Sequence, residues 1–130
     1  NDGALWHLDG AQKMELVFCC INANARDFAK LGQLMLAKGR GPESQIVPAE
    51  FIDTMLLPQS KAYFGHSIWL SEDASPTYFW LSGHLGQYII VVPDENLIVV
   101  KLGEERKSRD FRNDDLPFLV KEAIRLSEGL

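Results

Sequence analysis

Two apolar runs in the second half of the chain place the strongest limit on its fold. The first covers residues 88–92 and the second covers residues 97–102, and only the four residues 93–96 separate them. A connection of four residues can close an antiparallel hairpin but is too short for the crossover between parallel strands. Neither run alternates between apolar and polar residues, so both faces of the hairpin should be buried. The sequence therefore predicts an antiparallel sheet with helices packed on both faces.

Apolar periodicity predicts the helices that would cover this sheet. Apolar side chains recur at helical spacing from Phe28 to Met35, and Asn24 can cap that helix by accepting from the N–H of Asp27. The full prediction comprises helices at about 24–38, 48–57 and 115–128 and strands at about 64–70, 77–82, 87–92 and 97–102. This order predicts an α+β fold in which antiparallel strands are flanked by helices. It fits a single domain or fragment that covers residues 1–130.

Charge and hydropathy exclude two classes of protein. The chain has 13 Lys and Arg against 18 Asp and Glu, so its net charge is −5. Phosphate neutralisation supplies most nucleic-acid affinity, so we expect no nucleic-acid partner. The longest apolar run is far shorter than the roughly 20 residues of a membrane-spanning helix.

The first 21 residues show no clean period, although residues 16–21 could form a short buried strand. Cys19 and Cys20 are adjacent within this segment. A disulfide between neighbouring residues closes a strained eight-membered ring. We therefore interpret these cysteines as two small, buried, unpaired side chains.

One short segment, residues 83–88, is the strongest candidate for a functional site. Gly83 and Gly86 flank His84 directly before a predicted strand, and glycine at such a place lets another group approach the backbone closely. The alternative is a β-turn that simply exposes His84. None of the three histidines lies in a metal-ligand pairing, and the chain has no P-loop and no G-x-S-x-G elbow. We therefore expect neither a metal nor another cofactor.

Three segments, residues 18–39, 63–70 and 82–103, resemble a known superfamily when they are taken together. They read FCCINANARDFAKLGQLMLAKG, YFGHSIWL and SGHLGQYIIVVPDENLIVVKLG. Their order and character resemble the β-lactamase-like serine hydrolases, which include class C β-lactamases, DD-peptidases, related esterases and 6-aminohexanoate-dimer hydrolases. The resemblance implies the C-terminal portion of a β-lactamase/transpeptidase-like fold.

The resemblance also implies roles for residues of the candidate site. The third motif of the superfamily is Lys or His, then Thr or Ser, then Gly, on the strand beside the nucleophile. Here it would read His84-Leu85-Gly86, and Leu85 departs from the usual hydroxyl residue. The backbone N–H of Gln87 would help to form the oxyanion hole, and His84 would be the second catalytic residue. Leu85, Gly86 and Tyr88 would bind substrate.

The nucleophile motif of the superfamily, Ser-x-x-Lys, is absent, and so is its second motif, Tyr-x-Asn or Ser-x-Asn. In the superfamily both motifs precede the matching segments. The resemblance therefore implies the C-terminal third of a longer serine hydrolase, inactive alone, whose missing N-terminal part is the expected partner. The parent would transfer acyl groups from a small-molecule or peptide-like ester, amide or β-lactam, outside the cytoplasm as many relatives do. The alternative is an independent, non-catalytic binding or interaction module.

An exposed sheet edge is a further consequence of that interpretation. In the superfamily the N-terminal strands of the chain complete the sheet beside the C-terminal strands. Residues 97–100 carry no charge that would discourage pairing with another strand, and only Lys101 offers edge protection. A second copy of the chain is the simplest strand donor, so we expect a homo-oligomer.

Overall fold

Six strands and three helices form the part of the chain that the structure, a computed structural model, describes: residues 3–11, 13–16, 19–103 and 115–129. In chain order they are β1 (Leu5–Trp6), β2 (Ile21–Asn22), α1 (Ala25–Leu36), α2 (Ala49–Met55), β3 (Trp69–Leu70), β4 (Phe79–Ser82), β5 (Tyr88–Val92), β6 (Leu97–Lys101) and α3 (Leu116–Ser127). The predicted α+β class is confirmed. No helix within these residues has the length and apolar character to cross a membrane.

The main sheet contains β3, β4, β5 and β6 in sequence order, and every neighbouring pair is antiparallel. The register of the β5–β6 hairpin places Tyr88 opposite Lys101. A single 3₁₀ turn, Pro93–Glu95, makes the connection. Asn96 follows it with φ 48°, a left-handed conformation that asparagine adopts more readily than most residues. The short connection thus forms the hairpin that the sequence predicts.

Helices cover both faces of this sheet. On one face the buried residues of the sheet pack with α3, and this cluster consists of Trp80, Ile90, Val92, Leu116 and Val120. On the other face the cluster consists of Met35, Ile68, Phe79 and Val91, with Met35 supplied by α1. Ile90, Val91 and Val92 are fully buried, and successive side chains of a strand point to opposite faces. This explains why the run lacks alternation.

The first helix begins and ends where local chemistry requires. The Asn24 side chain accepts from the Asp27 N–H at 2.9 Å, which caps the helix as predicted. The helix ends before Gly39, whose φ of 79° and N–H bond to the Leu34 oxygen at 2.8 Å form a left-handed stop. Inside the helix, Gly32 leaves room for β5 and β6 to approach closely.

The strand predicted over residues 64–70 is shorter in the structure and covers only Trp69–Leu70. The Gly65 N–H bonds to the Ile68 oxygen at 2.9 Å, and Ser67 has φ 61°, so the chain turns before the strand begins. The predicted strand at 77–82 is likewise shortened to Phe79–Ser82. The alternating apolar residues therefore predicted a longer strand than the backbone forms.

Two expectations for the N-terminal segment are wrong. Of the predicted buried strand at 16–21, residues 17 and 18 lie outside the described residues, and among the others only Ile21 belongs to a strand: the exposed pair Ile21–Asn22 forms β2 and pairs with β1. Cys19 and Cys20 are not unpaired, because a disulfide joins them. Neither is fully buried: Cys20 is exposed and Cys19 is partly exposed. The left-handed φ of 78° at Cys20 is the backbone feature that accompanies this bond.

Candidate functional site

The five predicted site residues lie together in and just after the turn that joins β4 to β5. His84, Leu85 and Gly86 form the turn, and the N–H of Gly83 donates to the Gln87 oxygen across its base at 2.8 Å. The Gly86 N–H donates to the Gly83 oxygen at 3.2 Å, and Gly86 has φ 80°. This is a three-residue hairpin loop whose last position is left-handed, a conformation for which glycine is the favoured residue.

The structure thus places His84-Leu85-Gly86 in a turn, whereas the resemblance implied a strand for the third motif. β4 already ends at Ser82, and a residue at φ 80° cannot belong to an extended strand, so Gly86 completes the reversal into β5. Leu85, which departs from the motif, donates its N–H to the Gln87 side-chain oxygen at 2.9 Å. The Gln87 side chain is therefore engaged in closing the turn.

Lys101 is the residue of this region that the sequence interpretation missed as part of the site. Its ammonium group donates to the Gly86 oxygen at 3.0 Å and lies 5.4 Å from the centre of the Tyr88 ring. The carbonyl of Gly86 and the N–H of Gln87 belong to one planar peptide unit, in which they point in opposite directions. By bonding to the carbonyl at one edge of this peptide unit, Lys101 therefore fixes the orientation of the Gln87 N–H at the opposite edge.

The register could have revealed this contact. A four-residue connection that pairs the ends of two five-residue strands places Tyr88 opposite Lys101. Lysine directly opposite an aromatic residue on a sheet reaches its ring and the adjoining backbone.

Gly103 lets the chain after β6 pass close to the turn. A Cβ atom at this position would lie 2.6 Å from the Leu85 oxygen, so only glycine fits there.

Exposure divides the site residues into two groups. His84 and Leu85 are exposed, whereas Gly86, Gln87 and Tyr88 are half-buried. Oriented backbone N–H groups can donate to a developing oxyanion. The turn can therefore present an exposed imidazole and a fixed backbone donor to a molecule that approaches it.

The other two histidines lie outside this turn. His7 is in the N-terminal hairpin, where its Nε2 is 2.9 Å from the Asn22 amide nitrogen. His66 lies in the loop after α2, where its backbone N–H donates to the Met55 oxygen at 3.0 Å. Among the described residues, no group of three or more His, Cys, Asp or Glu side chains could hold a metal ion.

A shallow cavity of about 350 Å³ lies at the opposite end of the sheet from the His84 turn, and the sequence gives no signal for it. Tyr78, just before β4, is among its lining residues together with Leu70 and Pro93. Burial raises the pKa of the Tyr78 phenol, and its backbone N–H donates to the Ser71 hydroxyl at 2.9 Å. This cavity contains none of the predicted site residues.

Comparison with known proteins identifies the fold. No protein-family model and no curated protein matches the sequence. The structure is similar to the "Putative 6-aminohexanoate-dimer hydrolase from Bacillus anthracis", with a TM-score of 0.79 and 20% identity over 98% of this chain. It is also similar to the "putative beta-lactamase from Bacteroides dorei DSM 17855", with a TM-score of 0.61 and 13% identity over 91% of this chain.

These comparisons show that the chain has a β-lactamase-like fold. It spans 34% of the first of these proteins and 45% of the second. The predicted resemblance in fold is confirmed.

Proposed function

We propose that this chain forms the C-terminal part of a β-lactamase-like serine hydrolase that transfers acyl groups from an ester, an amide or a β-lactam. One observation carries the proposal: 98% of this chain superposes on a hydrolase of which it spans only 34%. The sequence has no Ser-x-x-Lys motif, so the nucleophile and its activating lysine would come from the remainder of the protein.

In this proposal the β4–β5 turn forms one wall of the substrate site. The Gln87 N–H donates to the oxyanion that develops during acyl transfer, and His84 exchanges a proton with the substrate or leaving group. Leu85, Gly86 and Tyr88 contact the substrate beside it. The support for these roles is that the five residues lie together in and directly after one turn, where His84 and Leu85 are exposed.

Lys101 acts in the proposed site as a positioning residue. Its bond to the Gly86 oxygen fixes the peptide plane that carries the Gln87 N–H, so that the donor needs no reorganisation when the substrate reacts. Substitution of Lys101 by Met would keep the length of the side chain and remove that bond. The proposal therefore assigns Lys101 an effect on kcat, with a smaller effect on KM.

The test uses the protein encoded by the full reading frame around this sequence. We expect His84→Ala to lower kcat/KM for an ester or β-lactam substrate by roughly 10- to 1000-fold while the fold is retained. His66→Ala is the matched control, because His66 is also an exposed loop histidine but lies outside the turn. An unchanged kcat/KM for His84→Ala would show that His84 has no catalytic role and is only part of the turn.

The 130-residue chain itself provides the second arm. We expect no labelling of any serine by a fluorophosphonate and no ester turnover, because an activated nucleophile is missing. Stoichiometric labelling of one serine would contradict this part of the proposal. A full reading frame without Ser-x-x-Lys would instead favour the independent, non-catalytic binding module.

A further inference from the structure

The disulfide between Cys19 and Cys20 lies in the connection that leads into β2. The Cys20 oxygen accepts from the His7 N–H at 3.1 Å, and the Cys19 N–H donates to the Leu16 oxygen at 3.2 Å. The Leu16 N–H in turn donates to the His7 oxygen at 3.0 Å. The backbone of Cys20 is therefore hydrogen-bonded to His7, the residue that directly follows β1.

Cys20 adopts a backbone conformation that its side chain does not favour. Its φ of 78° lies in the left-handed region, where an L-residue with a Cβ atom is crowded against its own backbone. Ile21 follows immediately in β2, so the conformation at Cys20 sets the direction in which β2 leaves the turn. The covalent bond to Cys19 restrains this residue.

A thiol from solution can reach the disulfide. Cys20 is exposed and borders a cleft of about 310 Å³, which His7, Leu8, Leu16 and Asn22 also line. The chain contains only these two cysteines, so no third thiol within it can exchange with the bond. A thiol that reduces the bond must therefore come from outside residues 1–130.

We propose that the Cys19–Cys20 disulfide is a reversible redox modification site for small dithiols, and that its state controls the order of the N-terminal hairpin. A thiolate of the dithiol attacks one cysteine sulfur, the S–S bond breaks, and a mixed disulfide forms. The second thiol of the reductant then displaces the protein sulfur. Two electrons and two protons are transferred in total, which leaves two protein thiols and the oxidised, cyclic reductant.

Loss of the bond releases Cys20 from its left-handed conformation. The hairpin is held by the strand pairs Leu5↔Asn22 and Trp6↔Ile21, by the bridge Leu8↔Glu15 and by hydrogen bonds that are largely exposed, such as the one from the Trp6 ring N–H to the Leu16 oxygen at 3.0 Å. None of its described residues is fully buried, and an exposed two-stranded hairpin is marginally stable, so it loosens when the His7–Cys20 hydrogen bond is lost. The helix that follows retains its own Asn24 cap, and the effect stops there.

The experiment compares hydrogen exchange of the full chain before and after treatment with dithiothreitol, and it counts thiols in parallel. We expect the thiol count to rise from zero to two per chain. The amides of His7, Leu16 and Cys19 should exchange roughly 5- to 30-fold faster, the factor that corresponds to relief of a left-handed residue. The amides of β5 and β6 should not change.

Two variants without thiols separate the roles of the bond and of the backbone. Cys19→Ser with Cys20→Ser retains a side chain at residue 20, so its hairpin should exchange fast with or without dithiothreitol. Cys19→Ser with Cys20→Gly places glycine at the left-handed position, so its hairpin should remain closer to that of the oxidised chain.

Three results would overturn the proposal. Two reactive thiols that persist after oxidation with diamide would show that the pair does not form the bond. Reduction without any change in exchange would show that the bond does not control the hairpin. Equal exchange in the two variants would show that the conformation at residue 20 is not the link.

Discussion

Replacement of Gly86 by alanine tests the turn that carries the candidate site. Gly86 has φ 80°, and an L-residue in this region costs roughly 1–2 kcal/mol. Alanine also restricts the unfolded chain, which offsets roughly 0.4–1 kcal/mol of that cost. The free energy of unfolding should therefore fall by about 1 kcal/mol. For an m-value of about 1–3 kcal/mol/M, the urea midpoint falls by roughly 0.3–1 M.

Gly86→Asn is the matched variant, because asparagine adopts the left-handed conformation more readily than alanine. It should unfold at a higher urea concentration than Gly86→Ala. Gly3→Ala controls for the change of composition, since no atom beyond its chain neighbours lies within 4 Å of a Cβ built there, and its midpoint should equal or slightly exceed that of the native chain. Equal losses for alanine and asparagine would refute the backbone argument, as would no loss in either variant.

Two other predictions concern packing and association. In Gly32→Ala the new Cβ would lie 2.8 Å from the Ile98 Cγ2 and 3.0 Å from the Ile89 Cγ2, so overpacking of about 1–3 kcal/mol should outweigh the gain of about 0.8–1.0 kcal/mol in helix propensity. Urea unfolding should show a less stable protein than the control Gly10→Ala, and a stabilised Gly32→Ala would contradict this. Within the described residues β6 is paired only with β5, so light scattering at micromolar concentration should report at least twice 14.6 kDa. A monodisperse monomer would contradict edge pairing.

The sequence could predict the sheet because loop length restricts strand direction almost independently of tertiary context. Four residues between two apolar runs leave the hairpin as the only simple solution, and the fully buried Ile90, Val91 and Val92 account for the missing alternation. The strand over residues 64–70 failed for the opposite reason. Alternation indicates which face is buried, but it does not show that the Gly65 N–H bonds to the Ile68 oxygen and that the His66 N–H bonds to the Met55 oxygen at the end of α2, a contact outside the local pattern.

The cysteine pair shows a different limit of sequence reasoning. Ring strain argued against a bond between Cys19 and Cys20, yet that argument assumes an ordinary backbone conformation at both residues. Cys20 adopts a left-handed conformation, so this assumption does not hold, and the local sequence does not predict that conformation. Positive φ values at residues other than glycine are set by the surrounding structure, so they are visible only in three dimensions.

The candidate site combines both situations. Its location was predictable because Gly83 and Gly86 mark a turn directly before a buried strand, and the structure places all five residues there. Its geometry was not predictable from the motif, since a left-handed Gly86 turns the chain where the resemblance implied a strand. The orientation of the proposed oxyanion donor then depends on Lys101, which contacts the other end of the same peptide unit. In the proposed hydrolase, the same hydrogen bond that fixes the turn would therefore also align the Gln87 N–H for catalysis.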